Sequence, residues 1–363
     1  MGARSVEQAS ERILLIRLSA VGDVVNALPT LTLLRRARPN AFIGFAVEDK
    51  AAELVFEHPL LDFVHVFRRR AIREALRARS PGGLREACRL LQEHRRELRK
   101  ARYDIAIDVQ GNLKGALHAM ASRAPRRIGF AGGYGREASH LLVNERITPP
   151  LEKRHRVDKF ASLLMALGIA GTEREFLLPA SPASETQASR WLGELGLTTG
   201  GYLMLHPGTS DHGSDKRWPA ESFGGLARRL AEIATSARLP LRALVSWGPG
   251  EEDLAREVVR SSGGAALLSP RTDSLLELAA LARRAAAFVS GDTGPMHLAA
   301  ACGTPCVALF GPKDPRVYRP WGQRHRLLHS PPERGGMRAI MIDEVLVELG
   351  LLLGRERVGA ALS

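Results

Sequence analysis

Short apolar runs that stop at a polar, often Gly-bearing turn and give way to helical spacing recur along this chain. Strand, turn and helix in repetition build a parallel sheet covered by helices, and few other folds admit that rhythm. The first instance is Arg12-Ile-Leu-Leu-Ile-Arg-Leu18, which breaks at Ser19-Ala-Val-Gly-Asp23 before helical spacing from Val24 to Arg36. Further runs are Ala41 to Val47, Phe63 to Phe67, Tyr103 to Val109 and Arg126 to Phe130, the last read as an edge strand. Pro179-Ala-Ser-Pro-Ala-Ser184 is the clearest linker, and a second series follows it: Tyr202 to Leu205, Leu241 to Val245, Ala265 to Leu268, Ala285 to Val289 and Val307 to Phe310. An apolar helix over Val345 to Leu353 closes the chain. The expected fold class is α/β, with two similar parallel-sheet halves facing each other across a cleft. The expected divisions are residues 1–180, 181–345 and a helix or tail over 346–363.

At 363 residues the chain has room for two cores of ordinary size. Its 52 Lys and Arg against 39 Asp and Glu give a formal charge of +13, which calls for an anionic partner: nucleic acid, an acidic membrane surface or phosphorylated ligands. Only 5% of residues are aromatic and no nucleic-acid motif is present, which weighs against the first. Cys88, Cys302 and Cys306 form no disulfide or metal-ligand pattern, the polar N-terminus reads as no secretory signal, and no apolar run reaches the roughly 18 residues of a membrane span. The expectation is a cytosolic protein, able to lie against a membrane face.

The turns after the strands carry the candidate chemistry, because an open α/β sheet holds its ligands at the carboxyl ends of its strands. Ser290-Gly-Asp-Thr-Gly-Pro-Met-His297 reads as a strand end followed by a helix start, with Asp292 or Thr293 as the cap and helix from Met296 to Cys302. Unpaired backbone N–H groups there form a seat for phosphate, and His297 stands one turn in. A plain strand-turn-helix connection accounts for the same residues. His206-Pro-Gly-Thr209-Ser210 offers donors and hydroxyls, Lys216 a cation, and Glu251 a carboxylate of the kind that accepts from ribose hydroxyls. In the first half Asp23 is either a ligand-facing acid or a helix cap. Arg68, Arg69, Arg70 and Arg73 open a basic stretch to Arg102 that reads as an amphipathic helix, dense enough at its start to bind an anion. His325 and His329 lie in a strand-like run, roughly 13 Å apart, too far to share a metal.

Four of these segments together carry a resemblance: Ser19-Ala-Val-Gly-Asp23-Val-Val-Asn-Ala-Leu-Pro, Asp108-Val-Gln-Gly-Asn-Leu-Lys114, Asp215-Lys216-Arg-Trp-Pro and Ser290-Gly-Asp-Thr-Gly-Pro-Met-His297-Leu-Ala-Ala. In order and spacing the chain resembles the ADP-heptose:lipopolysaccharide heptosyltransferases of glycosyltransferase family 9, from about Ile13 to Asp343. Phe45-Ala-Val-Glu-Asp and Ser246-Trp-Gly-Pro-Gly-Glu-Glu resemble the heptosyltransferase I branch.

The resemblance implies a GT-B fold of two Rossmann-like domains, acceptor in the N-terminal one and nucleotide-sugar donor in the C-terminal one. It implies an inverting, metal-independent transfer of heptose from ADP-L-glycero-D-manno-heptose to the Kdo region of lipopolysaccharide (Kdo-lipid A), with no cofactor, at the cytoplasmic face of the inner membrane. Carried over by position, Asp23 would be the general base and Lys216 would neutralise the departing diphosphate. Thr209, Ser210, Thr293 and Gly294 would help on the donor side, Asp292 and His297 would hold heptose hydroxyls or phosphate, and Glu251 the ribose. Arg68, Arg69, Arg70 and Arg73, with Arg136 and Arg156, would meet the anionic acceptor. A heptosyltransferase II-like enzyme acting on a heptosylated core, or a GT-B enzyme with another donor, fits the same motifs. Pro295 departs from the family pattern and is expected to alter the helix start.

Overall fold

The structure, a computed structural model, describes residues 11–150, 155–179, 181–209 and 215–354. The chain divides into two compact units, Met1–Pro179 and Ala180–Ser363.

In the first unit the strands are β1 (Arg12–Ile16), β2 (Phe42–Glu48), β3 (Phe63–Phe67), β4 (Ile105–Asp108), β5 (Arg126–Phe130) and β6 (Glu145–Ile147). The helices are α1 (Val21–Ala37), α2 (Arg69–Arg77), α3 (Pro81–Lys100), α4 (Leu113–Ser122) and α5 (Arg156–Ala161). All six strands run parallel in the order β3-β2-β1-β4-β5-β6. Ile13, Leu14, Leu15 and Ile16 are fully or almost fully buried, as expected of a central strand with helices on both faces.

In the second unit the strands are β7 (Tyr202–His206), β8 (Arg242–Val245), β9 (Ala266–Leu268), β10 (Ala287–Gly291), β11 (Cys306–Phe310) and β12 (Arg326–His329). The helices are α6 (Pro182–Glu194), α7 (Ala220–Ser236), α8 (Glu252–Ser261), α9 (Leu275–Arg284), α10 (Gly294–Ala301), α11 (Pro315–Tyr318) and α12 (Ile342–Leu353). Read in chain order, this sheet (β9-β8-β7-β10-β11-β12) repeats the order of the first. Each sheet therefore has one switch point, between β1 and β4 and between β7 and β10, where consecutive crossovers leave to opposite sides and a crevice opens at the strand ends.

Several expectations shift. Arg126–Phe130 is not the edge, because the short polar strand β6 pairs outside it. The basic stretch is two helices, not one: Ser80 caps α3 by accepting from the Gly83 N–H at 3.0 Å, and Pro81 starts it. The linker gives way at once to α6, capped by Ser181. The final helix begins at Ile342, and its Val345, Leu346 and Leu349 are buried in one core with Leu203, Phe223, Val245 and Leu309. It is part of the second unit's core. Among the described residues no helix is long and apolar enough to cross a membrane.

Candidate functional site

Both switch points gather charged side chains. In the first unit β1 and β4 end in register, Ile16 opposite Asp108, so the turns that follow them lie side by side. Arg17, the first residue past β1, is buried, and its Nη1 donates to the carbonyls of Val109 (3.1 Å) and Gln110 (3.3 Å). Gln110 answers with its side-chain oxygen, accepting from the Leu18 N–H at 3.0 Å. The two turns are thereby locked together.

Asp23, in the first turn of α1, sits between two guanidiniums, those of Arg17 and Arg156. Burial, with Arg156 adding like charge, holds the Arg17 guanidinium well below its ordinary value. A second carboxylate, Glu48 at the end of β2, is 4% exposed and is met by Arg69 Nη1 at 3.1 and 3.3 Å and by Lys114, whose Nζ also lies 3.4 Å from Ser19 Oγ. A third, Asp108, ends β4. Burial pushes its carboxyl up to about 7, against the opposing pull of the Gly111 N–H (3.1 Å) and of Arg17. Gly115 lets it lie there, since a Cβ at that position would stand 2.1 Å from Asp108 Oδ1.

Of the expected acceptor-side residues, Arg156 is thus in contact with Asp23, and Arg69 with Glu48. Arg68, Arg70 and Arg73 stand exposed on the start of α2, Arg70 paired with Glu74 at 2.8 Å. Arg136 is exposed too, its backbone N–H donating to Gly111 at 2.8 Å, and its charge is felt at Arg17.

In the second unit β7 and β10 also end together, His206 opposite Ser290. Thr293 caps α10, accepting from the Met296 N–H at 3.3 Å, and Pro295 occupies the first turn, where its missing N–H costs no helical bond. Contrary to expectation, Pro295 leaves the helix start regular, and α10 begins two residues before Met296. Asp292, just before that cap, accepts from Lys216 Nζ at 2.7 Å, and His297 Nε2 lies 3.7 Å from its other oxygen. Burial alone would raise this carboxyl, but His297 and then Lys216 outweigh it and bring it down to about 2. Gly291 lets the Lys216 segment approach, a Cβ there falling 2.6 Å from the Lys216 carbonyl.

A depressed carboxyl is a stability term with a definite direction. The contribution of Asp292 is complete above about pH 4, the ordinary carboxyl range, and disappears as pH falls toward 2. Asp292→Asn lacks it. The stability gap between wild type and variant, measured by urea unfolding across this window, is therefore expected to shrink by roughly 2 kcal/mol. A gap independent of pH would show that the carboxylate carries no such linkage.

The β7 turn faces a different acid. Glu251 Oε2 accepts from the Gly248 N–H at 2.8 Å and closes over Gly208, where a Cβ would clash at 2.1 Å. It also lies 3.7 Å from His206 Nε2, but burial drives that imidazole down to about 4, so the contact joins a carboxylate to a neutral ring at pH 7. Glu252 points elsewhere, to Arg256 at 3.0 Å, and lines a cavity of about 340 Å³ with Trp247, Pro249, Asp253 and Arg271. Thr209 Oγ1 accepts from Arg217 Nε at 2.9 Å. Ser210 lies outside the described residues. Among those described, no group of three or more His, Cys, Asp or Glu side chains is disposed to hold a metal ion.

Residues 91–337 match the profile of glycosyltransferase family 9 (heptosyltransferase). The chain belongs to this family. It is 30% identical to lipopolysaccharide heptosyltransferase 1 of Pseudomonas aeruginosa over 323 residues, 86% of this chain and 82% of that one. It is 26% identical to lipopolysaccharide heptosyltransferase 2 of Escherichia coli K12, over 87% of each. Among solved structures, E. coli heptosyltransferase WaaC with ADP superposes with a TM-score of 0.74 at 25% identity, covering 92% of this chain and 97% of that one. The family 9 chain is a glycosyltransferase of GT-B type, and its two six-stranded parallel sheets are the two Rossmann-like halves of that fold.

Arg17, Glu48, Asp108 and Lys114 were not singled out as site residues from the sequence. Asp108 and Lys114 end the family segment Asp108-Val-Gln-Gly-Asn-Leu-Lys114, which could have flagged them, and Arg17 is a charge inside an otherwise apolar run.

Proposed function

We propose that this family 9 enzyme transfers heptose from ADP-L-glycero-D-manno-heptose to the Kdo region of lipopolysaccharide, the second unit binding the donor and the first the acceptor. The observation that carries the reading is the Lys216–Asp292 pair at the start of α10, a fixed cation at the positive end of a helix. In the proposed step an acceptor hydroxyl gives its proton to Asp23 as its oxygen bonds to the anomeric carbon of the heptose. The bond from that carbon to the diphosphate oxygen breaks on the opposite face, so configuration inverts. Negative charge builds on the departing ADP, and Lys216 with the N-terminus of α10 stabilises it in the role a metal would otherwise fill.

Thr209, Thr293 and Gly294 would line the diphosphate, Asp292 and His297 the sugar, and Glu251 the ribose. Its position over Gly208, against the outward turn of Glu252, favours Glu251 for that last role. On the acceptor side Arg69, Arg156 and the exposed Arg68, Arg70, Arg73 and Arg136 would answer the carboxylates and phosphates of Kdo-lipid A. The higher identity to a heptosyltransferase 1 than to a heptosyltransferase 2 favours the first-heptose reaction. The acceptor places the work at an anionic membrane surface, with no nucleic acid partner.

Thermal unfolding with ADP, UDP and GDP tests the donor. ADP well above its dissociation constant is expected to raise the midpoint by several degrees, since about 2.7 kcal/mol is gained at a hundredfold excess. Stabilisation by UDP and not by ADP would overturn the assignment.

A further inference from the structure

The charge of this chain is concentrated in one place. Residues 68–102, covering α2 and α3, hold thirteen Lys and Arg against four Glu, a net +9 of the total +13. Three of those four acids are committed to local pairs: Glu74 to Arg70, and Glu86 and Glu93 both to Arg89. The fourth, Glu97, turns to His65. No carboxylate among the described residues pairs with Arg77, Arg79 or Arg85, which are all exposed.

Apolar side chains share that end of the hairpin. The C-terminal half of α3 is anchored to the sheet: Leu98 is buried with Leu14, Ile16 and Ala46, and the His94 ring lies against Phe67. Among the described residues the N-terminal half is held by a small core of Ile72, Ala87 and Leu90, with Ala71, Ala75 and Phe67 against it. Twenty residues make α3 about 30 Å long, against about 13 Å for the four-residue β4. The hairpin therefore outruns the sheet, and its outer end, beyond that small core, carries Leu76 at 49% and Leu84 at 58% exposure. A turn made of arginines and solvent-facing leucines has no partner among the described residues of its own unit.

We infer that the outer end of the α2–α3 hairpin, Leu76, Arg77, Arg79, Leu84 and Arg85, docks onto an anionic phospholipid surface, the leucines entering the interface and the arginines meeting lipid phosphates. The inference rests on the reading that the acceptor is a membrane lipid, and it identifies how the enzyme reaches it. Charge complementarity selects the occupant, because scattered guanidiniums with leucines between them, and no aromatic rings among them, match a headgroup layer better than stacked bases.

Co-sedimentation of the full chain with vesicles needs no sugar donor, so its outcome is separate from that of the ADP test. Wild type is expected to bind phosphatidylcholine vesicles containing phosphatidylglycerol, to ignore phosphatidylcholine alone, and to release with salt. An arginine near an anionic surface is worth about fivefold, so combined Arg77→Gln, Arg79→Gln and Arg85→Gln substitutions should weaken binding on the order of a hundredfold. Leu76→Ser with Leu84→Ser should weaken it about tenfold or more with the protein still folded, since neither side chain belongs to a core. Arg95→Gln, Arg96→Gln and Lys100→Gln, which remove the same charge from the other end of α3, should leave most of the binding. Equal loss in that control, no binding to anionic vesicles, or capture of RNA in preference to vesicles would each overturn the proposal.

Discussion

Asp23→Asn is expected to lower heptose transfer by roughly 10² to 10⁴-fold, the range a general base contributes, while ADP binding stays unchanged. The amide is nearly isosteric with the carboxylate but takes no proton from an attacking hydroxyl. Both oxygens of Asp23 meet guanidinium N–H groups, each keeping a further lone pair that can accept from an acceptor hydroxyl, and a guanidinium that shifts leaves that hydroxyl more room. Arg156, with 20% of its side chain exposed, has room to move, whereas Arg17, at 4%, is fixed to the carbonyls of Val109 and Gln110. Asn is a better probe than Ala: both remove the counter-charge of the buried Arg17 guanidinium, but Asn keeps the volume of the side chain and an amide oxygen that can still accept from that guanidinium. Turnover of the acceptor with each donor concentration, beside ADP-induced stabilisation, checks the split. Equal loss of both would count against Asp23 as the base.

Lys216→Met carries the second large effect, an expected fall in turnover of roughly 10² to 10³-fold, the scale seen when one charge-stabilising donor is removed from a transition state. Met keeps the reach of the side chain and removes only the charge. The loss should fall mainly on kcat, because the diphosphate gains its extra negative charge as the sugar departs, not when ADP-heptose first binds. Lys216→Arg separates charge from shape. It retains the positive charge, but a planar fork replaces a compact ammonium 2.7 Å from Asp292, so partial activity is the expected result. A Met variant that turns over like wild type would show that the leaving group is stabilised elsewhere.

The sequence exposed the strands and the turns that end them, because a buried parallel strand writes itself as a continuous apolar run. It concealed what depends on distant pairing. Glu48 looks like one more turn acid until Arg69 and Lys114, 21 and 66 residues further on, close around it. The strand β6 went unseen because Glu145–Ile147 is short and polar; it adds to the sheet by backbone pairing and by Glu145, whose carboxylate accepts from the Arg126 guanidinium of β5 at 2.6 and 2.9 Å. The break between α2 and α3 was legible in principle: Ser80-Pro81 is a cap followed by a first-turn proline, but the regular spacing of leucines across it suggested continuity. At the second switch point the start of α10 was legible from Asp292-Thr293-Gly294, and the pairing of Asp292 with Lys216 was not, since 76 residues separate them.

The place of α12 has a consequence for how the chain is made. Every element of the first unit is contiguous, so that half can close its core while the remainder is still being synthesised. The second unit cannot do so. Its core needs Val345, Leu346 and Leu349, which leave the ribosome only after all six of its strands, and until then Leu203, Val245 and Leu309 have an uncovered side. During that interval the second unit is the aggregation-prone part of the nascent protein, and its switch point is the last to be fixed.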